Sequence, residues 1–162
     1  MAVTDAAGER WAELTPRDVQ ALLAPLSVRW WIAGGWALDV EGRCKHGDVD
    51  VIVLRPEHEA LRRELADWDL RIAHRGALRP WHGGPVGPPE NAVWARPTPA
   101  DAWHLDFKIE TVEGDEWVYR RDAAVRRPLT ELGVVVDGIP FLAPDLAELY
   151  RTGSSDSASR RS

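Results

Sequence analysis

Asp48 and Asp50 stand two positions apart at the head of an apolar run, Asp48-Val49-Asp50-Val51-Ile52-Val53-Leu54. In an extended strand alternate side chains share a face, so the two carboxylates point one way and Val49, Val51 and Val53 the other. Their α-carbons are then roughly 7 Å apart, which lets both side chains converge on one divalent cation. Without a cation, two like charges about 4 Å apart at a partly buried position cost on the order of 4 kcal/mol. The pair therefore points to a bound Mg²⁺. A third carboxylate, Asp106, projects from a second alternating run: Trp103, Leu105, Phe107 and Ile109 share one face, and His104, Asp106 and Lys108 the other. Ahead of the acidic pair, Gly34-Gly35 closes the apolar stretch Trp30-Trp31-Ile32-Ala33, and Arg43, Lys45 and His46 lie in the polar stretch between.

The elements that must hold these residues read as an alternation of helices and strands. Thr15-Pro16 opens a helix, with threonine as N-cap and proline in the first turn, and Val19, Leu22, Leu23 and Leu26 give it an apolar stripe. Residues 28–33 read as a buried strand, 36–40 as a short helix and 41–47 as a basic loop. A second long helix starts at Pro56, with Ala60, Leu61, Leu65 and Trp68 inward, and residues 69–73 form a strand. The glycine- and proline-rich stretch 76–91 is expected to be irregular, and a loop of that length is functional or mobile. Strands follow over 92–95, 102–110, 116–119 and 134–141, the last turning at Asp137-Gly138. A closing helix spans 144–151, and the serine-rich residues 152–162 are expected to be a disordered polar tail. The expected architecture is one compact α/β (α+β) domain over residues 1–151.

Composition narrows the class further. A net charge of −6 argues against a general nucleic-acid binder, and it suits a metal or a cationic small molecule. One cysteine, Cys44, allows no intrachain disulfide and fits a reducing cytoplasm. No stretch has the length of a membrane span, and no Gly-x-x-x-x-Gly-Lys-Ser/Thr phosphate loop occurs. Of nine tryptophans, Trp36, Trp81, Trp94 and Trp103 flank polar or glycine-rich segments where a ligand could stack, with core packing the competing role. Asp39 reads as a brace for its short helix. His82 and His104 read as structural or surface groups. Glu110, Glu113, Asp115 and Glu116 read as a solvated acidic turn that could attract a cationic ligand.

Taken together, a glycine turn after one strand, an Asp-x-Asp strand and a third acidic strand resemble the polymerase-β-like nucleotidyltransferase superfamily. The stretch Trp31-Ile32-Ala33-Gly34-Gly35-Trp36-Ala37-Leu38-Asp39, with Gly42-Arg43, His46 and Asp48-Val49-Asp50, is most similar to the small antibiotic-modifying members, the lincosamide nucleotidyltransferases and aminoglycoside 2''-adenylyltransferases. The resemblance is dense over about residues 28–66, thinner to Tyr150 and absent from the tail. It implies a mixed sheet flanked by helices, two Mg²⁺ ions, a nucleoside triphosphate (ATP foremost) and transfer of a nucleotidyl group to a hydroxyl of a small acceptor. In that frame Asp48 and Asp50 are metal ligands, and Asp106 holds a second metal or acts as general base. Gly34 and Gly35 allow close backbone approach of the triphosphate. Arg43, Lys45 and His46 contact its β- and γ-phosphates. Larger members carry further helices after the one ending near Tyr150, so here the chain is either truncated or relies on a partner subunit, a second copy in a homodimer being one such partner, to complete the acceptor side.

Overall fold

The computed structural model describes residues 3–161, with side chains to Thr152. Four helices flank a mixed sheet whose strands run in the order β1-β5-β4-β6-β7-β3-β2-β11-β10. These strands are β1 (Thr4–Asp5), β2 (Trp31–Ile32), β3 (Asp50–Leu54), β4 (Asp69–His74), β5 (Ala77–Pro80), β6 (Ala92–Arg96), β7 (Leu105–Glu113), β10 (Gly133–Val136) and β11 (Ile139–Leu142). Beyond the sheet proper, β8 (Glu116–Val118) folds back on the far end of β7, and β9 (Arg126–Pro128) adds to β8. Most pairings are antiparallel. The two exceptions are β11 with β2 and, at the centre, β3 with β7.

The alternation of β3 sends its side chains into two separate cores. Val49, Val51 and Val53 join Val19 and Leu23 of helix α1 (Pro16–Leu23) and Leu61 of α3 (His58–Glu64) on one face. Ile52 and Leu54 pack on the other face with Ala37 of α2 (Gly34–Leu38) and with Leu146 and Ala147 of α4 (Pro144–Arg161). Both faces of the central strands are thus covered, and Asp50, Lys108 and Glu110, which share the α2–α4 face, line a cavity together with residues of those two helices. Helix α1 starts as its sequence dictates. Thr15 Oγ1 accepts from the Asp18 amide at 3.2 Å, and the Asp18 carboxylate accepts from the Thr15 amide at 2.9 Å, a reciprocal capping box.

Several elements differ from the sequence reading. The strand expected over 28–33 contracts to Trp31–Ile32, and α2 begins at Gly34, so the glycines open the helix instead of preceding it. The long helix from Pro56 is a 3₁₀ turn (Arg55–Glu57) followed by the short α3. Four residues of the stretch expected to be irregular form β5, paired with β4 through a tight Arg75-Gly76 turn with φ of 51° and 76°. Strands β1 and β9 also went unread. The rest of that stretch, residues 81–91, is pinned. Arg55 Nη1 donates to the Val86 carbonyl at 2.7 Å and Nη2 to Asn91 Oδ1 at 2.5 Å. The Val86 amide donates to His58 Nε2 at 2.8 Å. Trp81 is buried and stacks on His58. The sequence reading ends the helix at Arg151 and expects a disordered polar tail over 152–162, whereas the backbone of α4 runs on to Arg161; side chains from residue 153 on lie outside the described residues. Among the described residues no helix is long and apolar enough to cross a membrane.

Candidate active site

The parallel pairing of β3 with β7 sets Asp50 directly opposite Asp106. One backbone bond extends that register, the Asp106 amide donating to the Val49 carbonyl at 3.0 Å, and the Ala33 amide, donating to the Asp50 carbonyl at 2.8 Å, ties β3 to the start of α2. Asp48 lies in the bend just before β3, not in the strand as the alternation predicted, yet its carboxylate still converges on the other two. One oxygen from each of Asp48, Asp50 and Asp106 lies within 4.8 Å of the others. Octahedral Mg²⁺ binds oxygens at about 2.0–2.1 Å, so ligand oxygens across the ion are about 4 Å apart, a separation that the trio approaches.

The trio is graded in exposure. Asp48 is exposed, Asp50 half-buried and Asp106 only 5 % exposed. Burial pushes the Asp50 carboxyl up to about 7, the neighbouring Asp106 and Asp48 add to this, and Lys108 opposes it. Asp106 is raised as well, by its burial first, against the nearby Lys108 ammonium, whose Nζ lies 3.0 Å from Asp106 Oδ2. The other oxygen, Asp106 Oδ1, is buried without a hydrogen-bond partner. A buried carboxylate oxygen with no donor is costly, and a metal ion is the natural group to satisfy it. The donor set is all oxygen, which favours a hard cation of the magnesium type.

Beside the trio opens a cavity of about 410 Å³. Asp50, Gly34 and Gly35 form one part of its lining, and Lys108, Arg120 and Tyr150 another. Gly34 is required at its place. Its φ is +63°, and a Cβ there would stand 2.6 Å from Asp50 Oδ2. A Cβ on Gly35 would stand 2.5 Å from His46 Nδ1. The glycine pair thus makes room for the chain's own acid and imidazole, a role the sequence reading did not give it, while also presenting bare backbone to the cavity.

The cations expected at the phosphates are elsewhere. Arg43 pairs with Glu41 at 2.5 Å on the exposed loop, and Lys45 lies 3.8 Å from Glu13. His46 packs edge-on against Trp36, and its Nε2 lies 3.0 Å from Asp39 Oδ2. None of the three lines the cavity that holds Asp50. Asp39 braces this loop by accepting from the Cys44 amide at 2.9 Å and the Arg43 amide at 3.0 Å. Those bonds, with the His46 contact, hold its carboxyl down to about 2.

In their stead the cavity takes Lys108, Arg120 and Arg121. Sequence reasoning placed Lys108 on the Asp106 face but gave it no role, and its i+2 spacing from Asp106 was the available signal. Nothing local marks Arg120 and Arg121, which lie in the turn between β8 and β9. Glu110 also departs from its expected acidic turn: it is 2 % exposed and accepts from Trp117 Nε1 at 3.0 Å and from the Tyr150 hydroxyl. Glu113 and Glu116 pair with Arg126. Trp94 and Trp103 meet edge to face, Trp94 half-buried and Trp103 buried, with Arg96 over Trp103 at 3.8 Å. His104 Nδ1 lies 2.9 Å from the Ala102 carbonyl.

Fold and site together define a class: a single α+β domain with a mixed central sheet, two carboxylates on adjacent parallel strands and a third just ahead of them, beside a cavity with cationic walls. No family model and no curated protein matches the chain. Among solved structures it is similar to a protein of Thermotoga maritima whose own assignment as a nucleotidyltransferase is provisional. The TM-score is 0.47 at 12 % identity, over 89 % of this chain and 88 % of that one. So distant a likeness leaves the reading to the site itself.

Proposed function

We propose that the chain is a Mg²⁺-dependent nucleotidyltransferase. It moves a nucleoside monophosphate, AMP foremost, from a nucleoside triphosphate to a hydroxyl of a small molecule and releases pyrophosphate. The observation that carries this reading is the convergence of Asp48, Asp50 and Asp106 within 4.8 Å at a cavity that also presents Lys108 and Arg120. A ligand that is at once a metal chelator and an anion suits both, and a triphosphate is such a ligand.

Divalent ions held there supply charge neutralisation at the attacking and leaving oxygens of phosphoryl-type transfer. Asp48 and Asp50 would hold such an ion. Asp106, across the strand pair, holds a second ion or takes the proton of the acceptor hydroxyl. The backbone at Gly34 lets the phosphate chain approach closely. Lys108 and Arg120 face the charge on the departing pyrophosphate. The acceptor class we favour is a lincosamide or aminoglycoside, as the resemblance of residues 31–50 implies, and the net charge of −6 favours a cationic small molecule over a nucleic acid. We place the reaction in the cytoplasm, with a homodimer as the working assembly.

The test is mass spectrometry of pooled lincosamides and aminoglycosides incubated with the protein, Mg²⁺ and the four nucleoside triphosphates. The Asp48→Asn/Asp50→Asn double variant is the blank. A nucleotidyl mass gain absent from the blank is the expected result. No gain on any acceptor removes the antibiotic assignment, and no triphosphate binding at all removes the nucleotidyl-transfer reading.

A further inference from the structure

Lys108 sits two residues beyond Asp106 on the same face of β7, opposite Ile52 of β3. Its ammonium pairs with Asp106 Oδ2 at 3.0 Å, and its side chain is 34 % exposed, toward the cavity that Asp50 also lines. Fully ionised, the carboxylate trio would carry three negative charges within 4.8 Å. Left alone, such a cluster would repel itself apart in a partly buried setting. An ammonium within hydrogen-bond distance of one member relieves that repulsion. The same ammonium opposes any further cation that enters beside it. Both effects come from one charge, and the chain has placed it on a flexible four-carbon stem with open volume beside it.

We infer that Lys108 is a tethered counter-ion. It occupies the charge role of the divalent cation while the metal is absent, and it withdraws into the cavity when the metal enters. The inference rests on the reading of the trio as a metal site. Two consequences follow. The metal-free site stays ordered because Lys108 holds Asp106. A bare ion binds more weakly than three carboxylates alone would bind it, because entry breaks the Lys108–Asp106 pair. An anion in the cavity then gives the released ammonium its new partner, so that metal and anion favour one another.

The experiment titrates Mn²⁺ into the metal-free chain at fixed pH, without nucleotide, and reads free Mn²⁺ by electron paramagnetic resonance. Wild type is compared with Lys108→Met, Lys108→Gln and Lys108→Arg, and thermal melts are recorded with and without metal. Lys108→Met and Lys108→Gln are expected to bind Mn²⁺ about tenfold tighter, the scale on which one nearby unit charge moves an equilibrium at a partly buried site. Their metal-free melting temperature falls below wild type, and saturating Mn²⁺ narrows the gap. Lys108→Arg keeps the wild-type behaviour. Unchanged or weaker Mn²⁺ binding in the neutral variants overturns the inference while leaving the metal site standing. Absence of Mn²⁺ binding in every variant, wild type included, overturns both. Should the methionine variant fail to fold, the glutamine variant reports the same sign.

Discussion

Asp50 and Asp39 are carboxylates held in opposite directions, and their environments set opposite pH responses. Asp50 is pushed up to about 7 by burial and by its acidic neighbours. Between its unfolded value near 3.8 and 7, the folded protein holds a proton that the unfolded chain has released. Stability of the metal-free protein therefore falls as pH rises from about 4 to about 7 and then levels. Thermal melts in chelator at pH 5 and pH 8 are expected to show the lower melting temperature at pH 8. In Asp50→Asn that difference shrinks, and the variant melts above wild type at pH 8 while losing its response to Mg²⁺. A melting temperature that climbs from pH 5 to pH 8 in chelator would contradict the burial of this carboxyl. Asp39 behaves in the opposite sense. Held down to about 2, it contributes stability above its unfolded value near 3.8, and loses it as pH falls toward 2.

At the scale of elements, the glycines at the start of α2 divide the work between two neighbours. Gly34→Ala puts a methyl group against Asp50 and forces an alanine into a left-handed conformation, at about 1–2 kcal/mol for the backbone alone. Calorimetry is expected to show a loss of several degrees, and Mn²⁺ titration at least a tenfold loss of affinity, as Asp50 is displaced. Gly35→Ala presses on His46 instead. It should cost stability through the Asp39 loop and leave Mn²⁺ affinity within about threefold of wild type, since a change that spares the metal's ligands spares most of its binding. Equal loss of metal affinity in both would refute this division.

The same scale shows why some elements were legible and others not. The Thr15-Pro16 start, the alternation of β3 and β7 and the Asp137-Gly138 turn each carry their cause within a few residues. Strand β5, with Ala77-Leu78-Arg79-Pro80, lacks β-branched residues and ends on proline, and its strand character comes from β4 and β1 on either side. The Arg75-Gly76 turn hid for a related reason, because arginine is an unusual occupant of a positive-φ position. Among site residues, the acids were legible because strand periodicity and type converge on them. Arg43, Lys45 and His46 misled because nearness in sequence to Asp48 says nothing of which way a loop folds, and this loop turns inward on Asp39. Arg120 reaches the cavity only through tertiary structure.

For the whole molecule, the site joins segments that are distant along the chain. Asp48 and Asp50 lie before α3, and Asp106 follows the antiparallel strands β4, β5 and β6, so the trio exists only once β3 and β7 have paired in parallel. Such pairing closes a long loop and comes at high entropic cost. A ligand for the trio therefore recognises the assembled sheet and nothing less, stabilising the native state by about 2.7 kcal/mol at a hundred times its dissociation constant. The consequence is one of lifetime. If the parallel pair closes after the rate-limiting step, Mg²⁺ slows unfolding and leaves refolding untouched. Stopped-flow refolding in Mg²⁺ and in chelator is expected to give superimposable rates, with the unfolding arm alone displaced. A bound ion then acts as a clasp on the finished molecule, prolonging its survival against proteases without hastening its formation.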